Sequence, residues 1–382
     1  MKNSLLALCV LVTLSVSVFA QVNNPIVTAV PSLSIAPDAR AGGMGDIGAA
    51  TTPDVNSQYW NPAKYAFMES DAGVSVSYTP WLRKLVSDIN LAYVAGYWKF
   101  DSRQTLSASL RYFSLGAITM TDGQGTIQGT ANPNEYSFDI AYSRLLSDKF
   151  SASAALRYIH SDLNNGYNFA SGGSSVTMYP GSAVAADISA YYKTPLAMQG
   201  VDGTLGLGIN ISNIGSKISY DQNETSNFIP TNLRIGGSYD YPIDNYNKIS
   251  VSADLNKLLV PTPKLNPTTA DITAYNNMSP ITGIFNSFSD APGGFKEEME
   301  EIMWSVGAEY AYNNQFFVRG GYFNENQYKG NRKYFTAGAG FKLNVFQLDA
   351  AYVISTSQSN PLDQTLRFSL SFDLFGLKNL VK

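Results

Sequence analysis

Residues 35–67 read IAPDARAGGMGDIGAATTPDVNSQYWNPAKYAF and form the one stretch that does not repeat the pattern of the chain after it. Glycine allows a tightly folded backbone, whereas proline removes a hydrogen-bond donor and opposes strand formation. The stretch contains Gly42, Gly43, Gly45, Gly48, Pro37, Pro53 and Pro62. Asn61 before Pro62 predicts a helix start, because Asn is a favoured N-cap and Pro is accepted at the first helical position. We therefore expect a compact segment that contains a short helix from Pro62 to about Met68.

The tripeptide Asn61-Pro62-Ala63 resembles a motif of FadL-type outer-membrane barrels, whose N-terminal hatch is a segment packed inside the barrel. More narrowly, residues 36–46 and 60–64, followed by residues 78–82, resemble the PorV family, the FadL-like barrels of type IX secretion. The candidate hatch motif comprises Asp38, Arg40, Gly42, Gly43, Gly45, Asp46, Trp60, Asn61, Pro62 and Ala63. The resemblance implies that residues 38–67 lie inside a barrel. The alternative is an irregular loop with a capped helix.

The first twenty residues have the pattern of a secretory signal peptide. Lys2 precedes an apolar run from Leu5 to Phe19, and small residues end the pattern at Ala20. Cys9 is the single cysteine of the chain and would be removed with this segment. Disulfides, thiol catalysis and cysteine-ligated metals are thereby excluded for the mature chain. We expect three parts: a signal peptide (1–20), an N-terminal extension and hatch (21–70), and an outer-membrane barrel (71–382).

The composition is typical of a membrane β-barrel. Charged residues make up 15% and aromatic residues 13% of the sequence, whereas soluble proteins contain about 25% charged residues. Beyond the signal, no apolar run is long enough for a spanning helix. Loss of Lys2 leaves 25 basic against 30 acidic groups, a net charge of −5, so nucleic acid is not expected as a partner. Two soluble domains would also fit the length, but no linker divides the chain.

From Ala72 onward, segments of about ten residues alternate between apolar and polar side chains, as strands of outer-membrane barrels do. In residues 248–256, for example, Ile249 and Val251 oppose Ser250 and Ser252. Residues 105–113 and 365–373 follow the same pattern. Because soluble sandwiches alternate too, the lengths of the connections have to decide between the two classes.

The connections alternate between short turns and long loops, which predicts an antiparallel transmembrane β-barrel of about 14 strands with both termini in the periplasm. The candidate strands span residues 72–78, 89–100, 104–113, 135–145, 150–162, 182–194, 203–212, 232–241, 247–257, 304–311, 316–323, 333–342, 346–354 and 364–374. Tyr and Trp collect near the strand ends, as in the aromatic girdles of membrane proteins; aromatic pairs of a soluble sheet are the alternative.

No constellation of residues predicts an enzyme. His160 is the single histidine and shares its strand parity with Ala154, Leu156 and Tyr158, which predicts that it faces outward near the external rim. A lipid-facing imidazole does not easily meet both a serine and a carboxylate, and the chain has no Gly-x-Ser-x-Gly elbow. No residues have metal-ligand spacing. We therefore expect no catalytic residue, no metal and no cofactor.

Charged residues also occur on the inward face of the predicted strands: Arg111, Asp139, Arg157, Asp187, Arg234, Asp254, Glu309, Lys342, Asp349 and Arg367. They could line a pore, bind a substrate, or pair with each other and with Asp38, Arg40, Asp46 and Lys64. Both signs are interspersed, and charges enclosed by a hatch need compensation, which favours a structural network.

The longest loop, residues 258–303, contains a predicted amphipathic helix over residues 293–303. Phe295, Met299, Ile302 and Met303 would share one face of it. That face either covers the mouth of the barrel or docks a partner, and both alternatives stay open. Candidate partner-binding residues of this loop are Phe285, Phe288, Phe295 and Met299, and other loops offer Ile118, Met120, Tyr167 and Phe169.

Two functions remain. The resemblance to PorV implies a non-enzymatic protein that binds the C-terminal signal domain of secreted cargo at the type IX translocon and delivers it to the attachment complex with the sortase PorU. The alternative is a FadL-type channel for long-chain fatty acids or other hydrophobic molecules, and it would favour an apolar lumen. The strand positions predicted to face inward are rich in Ser, Gly, Asp and Arg, which favours binding of a partner by the rim and the loops. Lipid and lipopolysaccharide of the outer membrane would surround the barrel. Lipopolysaccharide deacylation lacks supporting residues.

Overall fold

The computed structural model describes residues 24–84, 86–121, 124–164, 169–171, 174–176, 178–198, 200–222, 225–356 and 362–380. The predicted signal peptide lies outside the described residues. Strands dominate the described chain, and none of its helices is long and apolar enough to cross a membrane.

Fourteen strands form a closed antiparallel barrel, which confirms the predicted fold class. Each barrel strand pairs with the next one along the chain, and the last strand pairs back with the first, where Gly73 lies opposite Asp373. The barrel strands are β1 (Ala72–Pro80), β2 (Asn90–Lys99), β3 (Gln104–Ser114), β6 (Asn134–Ser147), β7 (Phe150–Asp162), β10 (Gly181–Met198), β11 (Val201–Gly215), β12 (Asn232–Pro242), β13 (Asn247–Leu258), β14 (Met303–Tyr312), β15 (Phe316–Asn324), β16 (Lys333–Leu343), β17 (Phe346–Ser355) and β18 (Leu366–Asp373).

Two small hairpins are separate from the barrel. They are formed by β4 (Ile118–Thr121) with β5 (Ile127–Ala131), and by β8 (Phe169–Ser171) with β9 (Ser174–Val176). Both hairpins lie in long connections of the barrel, between β3 and β6 and between β7 and β10. The sequence alone predicts loops at both places.

Polar and apolar side chains alternate along the strands as predicted, with the polar ones facing inward. In β13, Ser250, Ser252 and Asp254 are buried inside the barrel, whereas Val251 and Leu255 are exposed on its outer surface. Apolar side chains on the outside of a barrel meet lipid, and polar side chains inside need polar partners. The interior therefore has to be filled by groups that can satisfy hydroxyls and charges.

The connections fall into two classes that lie at opposite ends of the barrel. The short-turn end contains residues 100–103, 148–149, 200, 243–246, 313–315 and 344–345. The long-loop end contains the described residues of the connections 81–89, 115–133, 163–180, 216–231, 259–302, 325–332 and 356–365. The longest of these, residues 259–302, is called the long loop below.

The helices are short. The N-terminal segment, residues 24–70, contains Pro31–Ser34, Ala39–Gly42, Ser57–Trp60 and Pro62–Phe67, of which the first and last are 3-10 helices. The predicted helix at Pro62 is thus present, and the Asn61 side chain caps it by accepting from the Ala63 N–H. The long loop contains Thr269–Asn277, Pro280–Asn286 and Phe295–Glu300, and Leu374–Leu380 follows the last strand.

The two ends of the described chain lie at opposite ends of the barrel. Asn24 donates its backbone N–H to Tyr328 O (3.1 Å) and its side-chain amide to Pro263 O (3.1 Å), both at the long-loop end. Asp373 lies at the short-turn end, where its N–H donates to Val345 O (2.7 Å). The position of both termini in the periplasm stays a prediction, although Asn24, the first described residue, lies at the long-loop end. An even number of strands places the start of β1 and the end of β18 at the same end of the barrel. The N-terminal segment precedes β1 and passes through the barrel from the long-loop end to reach it.

Candidate functional site

The N-terminal segment is enclosed by the barrel strands. It is hydrogen-bonded to inward side chains all round the ring: Arg111, Asp139, Ser151, Ser189, Asn210, Ser238, Asp254, Glu309, Tyr334 and Ser369. Contacts on opposite sides of the ring require the segment to lie within the lumen. That it serves as a hatch that stops solutes stays a prediction.

Glycines on the inner wall let the segment approach the strands closely. A Cβ at Gly321 would lie 2.1 Å from the carbonyl carbon of Met44, and one at Gly208 would lie 2.0 Å from Ala49 O. Real side-chain atoms do not approach backbone atoms so closely, so a larger residue would displace the segment. The fit of segment and wall thus depends on glycines of β15 and β11, which the sequence analysis did not single out.

The predicted hatch motif forms one connected unit. Trp60 Nε1 donates to Asp38 Oδ1 (2.6 Å), and the other Asp38 oxygen accepts from the Ala41 N–H (3.0 Å). Asn61 Nδ2 donates to Ala49 O and to Ala190 O of β10, both at 2.9 Å. The side chains of Asp38, Trp60 and Asn61 are buried. These contacts fix the segment's path, because buried polar groups need partners.

Arg40 links the segment to a chain of buried charges on the wall. Its guanidinium lies 3.0 Å from Glu309 and 2.7 Å from Asp54. Glu309 also pairs with Arg319 of β15 (2.5 Å), and Arg319 with Asp349 of β17 (2.6 Å). Arg319 is not among the charges predicted to face inward, because both faces of β15 carry aromatic residues and the pattern does not show which face is the inner one.

A second group of charges lies across β6, β7 and β10. Arg157 lies 3.0 Å from Asp139 and 2.9 Å from Asp187. Asp46 of the segment pairs with Arg367 of β18 and accepts from the Tyr334 hydroxyl at 2.6 Å. The structural network is thereby confirmed for most of the predicted inward charges. Lys342, in contrast, is exposed, and Lys64 donates to Thr51 Oγ1 (3.0 Å) rather than to a carboxylate.

A cavity of about 70 Å³ remains at the long-loop end of the lumen. Tyr59, Trp60, Arg157, Arg234, Asn256 and Arg332 are among its lining residues. The Arg234 guanidinium lies 4.5 Å from the Trp60 ring centre, and its Nε donates to Asn256 Oδ1 (2.7 Å). A cavity of this size and polarity suits a few water molecules rather than a long alkyl chain.

The long loop is held to the barrel mouth by buried ion pairs. Lys257 Nζ lies 3.0 Å from Glu298 and 2.6 Å from Glu301. Lys329 Nζ lies 3.0 Å from Glu301 and 2.5 Å from Glu297. Glu297 also accepts from the Asn24 side chain (3.2 Å), so the loop and the start of the N-terminal segment share one cluster of charges.

This arrangement corrects the predicted amphipathic helix. The helix extends only over Phe295–Glu300, and its barrel-facing side carries Glu298 rather than Phe295 and Met299. Met303 is buried but belongs to β14. The reason is electrostatic: two buried lysines at the mouth require carboxylates, and leaving them unpaired would cost more than exposing two apolar side chains.

The four candidate partner-binding residues are exposed. Phe295 is 80% and Phe285 71% exposed, and Phe288 and Met299 are each about half exposed (51% and 50%). Ile118 of β4 is also exposed. Tyr167 lies outside the described residues, as does the side chain of Phe169. Isolated exposed apolar residues are common in folded proteins, so the role of these residues in binding a partner stays a prediction.

Asp290 lies next to the ion pairs of the long loop. Its Oδ2 accepts from the Thr262 N–H (3.2 Å). Burial, together with the nearby carboxylates of Glu298 and Glu301, raises the pKa of Asp290 to about 6. The loop therefore carries one carboxyl group that gains a proton in mildly acidic solution.

His160 faces outward as predicted, but it does meet a serine. Its Nδ1 lies 3.1 Å from Ser182 Oγ on β10, and its ring centre lies 4.8 Å from that of Tyr136. Ser182 lies directly opposite His160 on the neighbouring strand, a contact that the parity of one strand alone does not predict. The strand N–H groups belong to the ladder, so none is free to form an oxyanion hole. No group of potential metal ligands occurs among the described residues.

Comparisons with known proteins place the chain in context. The model of the family "Type IX secretion system protein PorV" matches residues 19–265, about two thirds of the chain. No curated protein sequence matches. A deltaS2S3 mutant of the TodX monoaromatic hydrocarbon channel has a TM-score of 0.50 at 12% identity, over 88% of this chain and 98% of that chain. This likeness shows a shared fold.

Two other solved structures are similar at lower scores. The Ralstonia pickettii toluene transporter TbuX has a TM-score of 0.49 at 13% identity, covering 87% of this chain and 96% of that one. A Pseudomonas aeruginosa FadL homologue has a TM-score of 0.46 at 12% identity, covering 92% and 99%.

Proposed function

Since the chain belongs to the PorV family of type IX secretion proteins, we propose that this outer-membrane component of the system is a carrier, which binds secreted cargo with its extracellular loops. The cargo element would be the C-terminal signal domain. The carrier would receive it at the outer-membrane translocon and deliver it to the attachment complex with the sortase PorU. No bond is made or broken in this role.

The observation that carries the proposal is the orientation of the helix Phe295–Glu300 in the long loop. Its ion pairs with Lys257 and Lys329 hold the helix Phe295–Glu300 with its charged side toward the barrel. Phe295 and Met299 consequently point into solvent. Apolar side chains that are fixed in an exposed position lose little conformational freedom on binding, which favours their use as anchors for a protein partner.

The membrane orientation follows from the same proposal. Long loops of bacterial barrels are extracellular and short turns periplasmic. The start of β1 and the end of β18 would therefore face the periplasm, whereas Asn24 would lie at the cell surface. Cargo leaving the translocon would meet the long loop and the mouth of the lumen together.

The alternative is a channel for hydrophobic molecules, like the monoaromatic hydrocarbon channel TodX. The lumen here argues against it. Its wall presents paired charges such as Arg319–Glu309 and Arg157–Asp187, and arginines line the cavity of about 70 Å³. A long alkyl chain would have to displace the N-terminal segment and leave buried charges unpaired, which is costly.

A binding measurement tests the proposal. The probe is the recombinant C-terminal signal domain of a secreted protein from the same bacterium, added to the purified barrel in detergent. The double variant Phe295→Ser/Met299→Ser should bind it at least about tenfold more weakly, since buried anchor residues commonly contribute more than 1 kcal/mol each. The matched control Ile243→Ser/Tyr246→Ser changes two exposed apolar residues at the short-turn end and should bind like the parent. Equal loss in both variants would contradict the role of the long loop.

A further inference from the structure

The cavity at the long-loop end of the lumen contains a guanidinium group with unused donors. Arg234 of β12 lies over the Trp60 ring, 4.5 Å from its centre, and its Nε donates to Asn256 Oδ1 (2.7 Å). Within the described chain, Nη1 and Nη2 of Arg234 make no hydrogen bond and no ion pair. A guanidinium group has five N–H donors, so most of those of Arg234 remain available to a ligand in the cavity.

Arg234 differs in this respect from the other charged residues that line the cavity. Each of those has an opposite charge as its partner: Arg157 pairs with Asp139 and Asp187, Arg332 with Glu325, and Asp46 with Arg367. Asp254 attracts Arg234 without forming an ion pair, and it accepts from the N–H groups of Gly48 and Ala49 (2.8 and 3.0 Å). An enclosed charge is stabilised by a counter-charge in contact with it, and Arg234 lacks one among the described residues.

An asparagine beside Arg234 presents further donors to the same cavity. Asn256 is 5% exposed, and its Oδ1 accepts from Arg234 Nε and from Asn232 Nδ2 (3.4 Å). Because arginine can only donate, the oxygen of Asn256 has to face it. The amide N–H groups of Asn256 have no partner in the part of the chain that the structure describes. Buried polar groups normally have partners, so this amide indicates a ligand with acceptor atoms.

We propose that Arg234 and Asn256 bind the carboxylate group of a short ligand in this cavity. The planar edge formed by Nη1 and Nη2 can donate two parallel hydrogen bonds to a carboxylate. Its single negative charge matches the single guanidinium that lacks a contacting counter-charge, whereas a phosphate group carries more charge.

The size of the cavity limits the rest of the ligand. A volume of about 70 Å³ admits a carboxylate on about one or two carbon atoms, in place of water, but no long alkyl chain. Either the C-terminal end of a peptide chain or a short free acid supplies such a group. The inference goes beyond the carrier function and does not require it.

An NMR titration of the unmodified barrel in a non-ionic detergent tests the site. The probe is sodium acetate, compared with sodium chloride at the same ionic strength, and the readout is the indole N–H signal of Trp60. Acetate should shift this signal saturably, with a Kd on the order of millimolar, because it occupies donors next to the indole ring. The signals of Trp98 and Trp304, which lie on the outer surface, should not follow it.

Two variants assign the binding to Arg234. Arg234→Gln removes the guanidinium group and should weaken acetate binding about tenfold or more, since hydrogen bonds to charged groups are strong. The matched control Arg144→Gln removes the same charge from an exposed position of β6 and should respond like the parent. Parent-like binding by Arg234→Gln, or an equal loss in both variants, would contradict the assignment.

Peptide probes distinguish the two sources of the carboxylate. Triglycine ends in a carboxylate, whereas triglycinamide has the same length without that charge. Binding of triglycine more tightly than acetate, together with no binding of triglycinamide, would assign the site to chain ends. Binding of acetate alone would assign it to short free acids. Equal binding of triglycine and triglycinamide, or a Trp60 signal of the parent that responds to neither acetate nor triglycine, overturns the proposal.

Discussion

Arg40 of the N-terminal segment and Glu309 of β14 form a buried ion pair, in which Nη2 and Nε of Arg40 lie 3.0 and 3.2 Å from the two oxygens of Glu309. Removing one partner leaves the other with fewer counter-charges inside the lumen, because Arg40 then keeps Asp54 or Glu309 keeps Arg319. We expect Arg40→Met and Glu309→Gln each to lower the free energy of unfolding by about 3 kcal/mol, because breaking a buried pair is strongly destabilising. The double variant should recover part of this loss.

Urea unfolding of the barrel in lipid vesicles measures these changes. The control is Lys84→Met, which breaks the exposed ion pair with Asp363 and should cost less than about 1 kcal/mol. Single variants no less stable than this control would show that the buried pair does not hold the segment.

Adjacent glycines of β15 provide a second test. Gly321 faces the lumen and touches Met44, whereas nothing lies closer than 3.9 Å to a Cβ at Gly320. Gly321→Val should therefore displace the N-terminal segment and raise the permeability of the barrel to small solutes, while Gly320→Val should leave it closed. Conductance in planar bilayers distinguishes the two. A sealed Gly321→Val barrel would count against a hatch role, as would a sealed barrel lacking residues 38–67.

The barrel could be predicted from the sequence because lipid and lumen impose a period of two on every strand. The alternation along the strands also correctly predicts that Asp139, Asp254 and Arg367 face the lumen. The orientation of the helix Phe295–Glu300 could not be predicted, because its own spacing favours burying Phe295 and Met299. What decides it are Lys257 and Lys329, which lie far away in sequence. The position of Asn24 depends on the path of the whole segment, which local patterns do not encode.

The long loop should respond to mild acid through Asp290. Its pKa is raised from 3.8 to about 6, so the folded loop binds this proton more tightly than the unfolded loop does. The loop's stability should therefore fall as pH rises from about 4 to about 6. Asp290→Asn removes the charge and should make the stability of the loop less dependent on pH. Because Asp290 is half-buried, the exchange rates of parent and variant should differ by no more than a few-fold.

Amide exchange of residues 291–301, corrected for the intrinsic effect of pH, follows this response. The parent should exchange faster than Asp290→Asn at pH 7.5, and the two should converge near pH 4. A parent that is better protected than the variant at pH 7.5 would contradict the assigned sign.

Epitope tags test the topology. A tag between Asp101 and Ser102 lies at the short-turn end and should be accessible only after the outer membrane is permeabilised. A tag after Asn164, at the long-loop end, should be accessible on intact cells. A tag before Asn24 should also label intact cells, because Asn24 is bound to Tyr328 and Pro263. Labelling of all three from one side would refute the arrangement.

The fate of secreted proteins in a strain that lacks this barrel tests the central claim most directly. Mass spectrometry of membrane and medium fractions would identify cargo and the state of its C-terminal signal, and complementation with the parent chain would serve as the control. The carrier function predicts that cargo accumulates unattached with its C-terminal signal uncleaved. Normal processing and attachment, together with a loss of uptake of long-chain hydrophobic compounds, would contradict it and would favour the channel function instead.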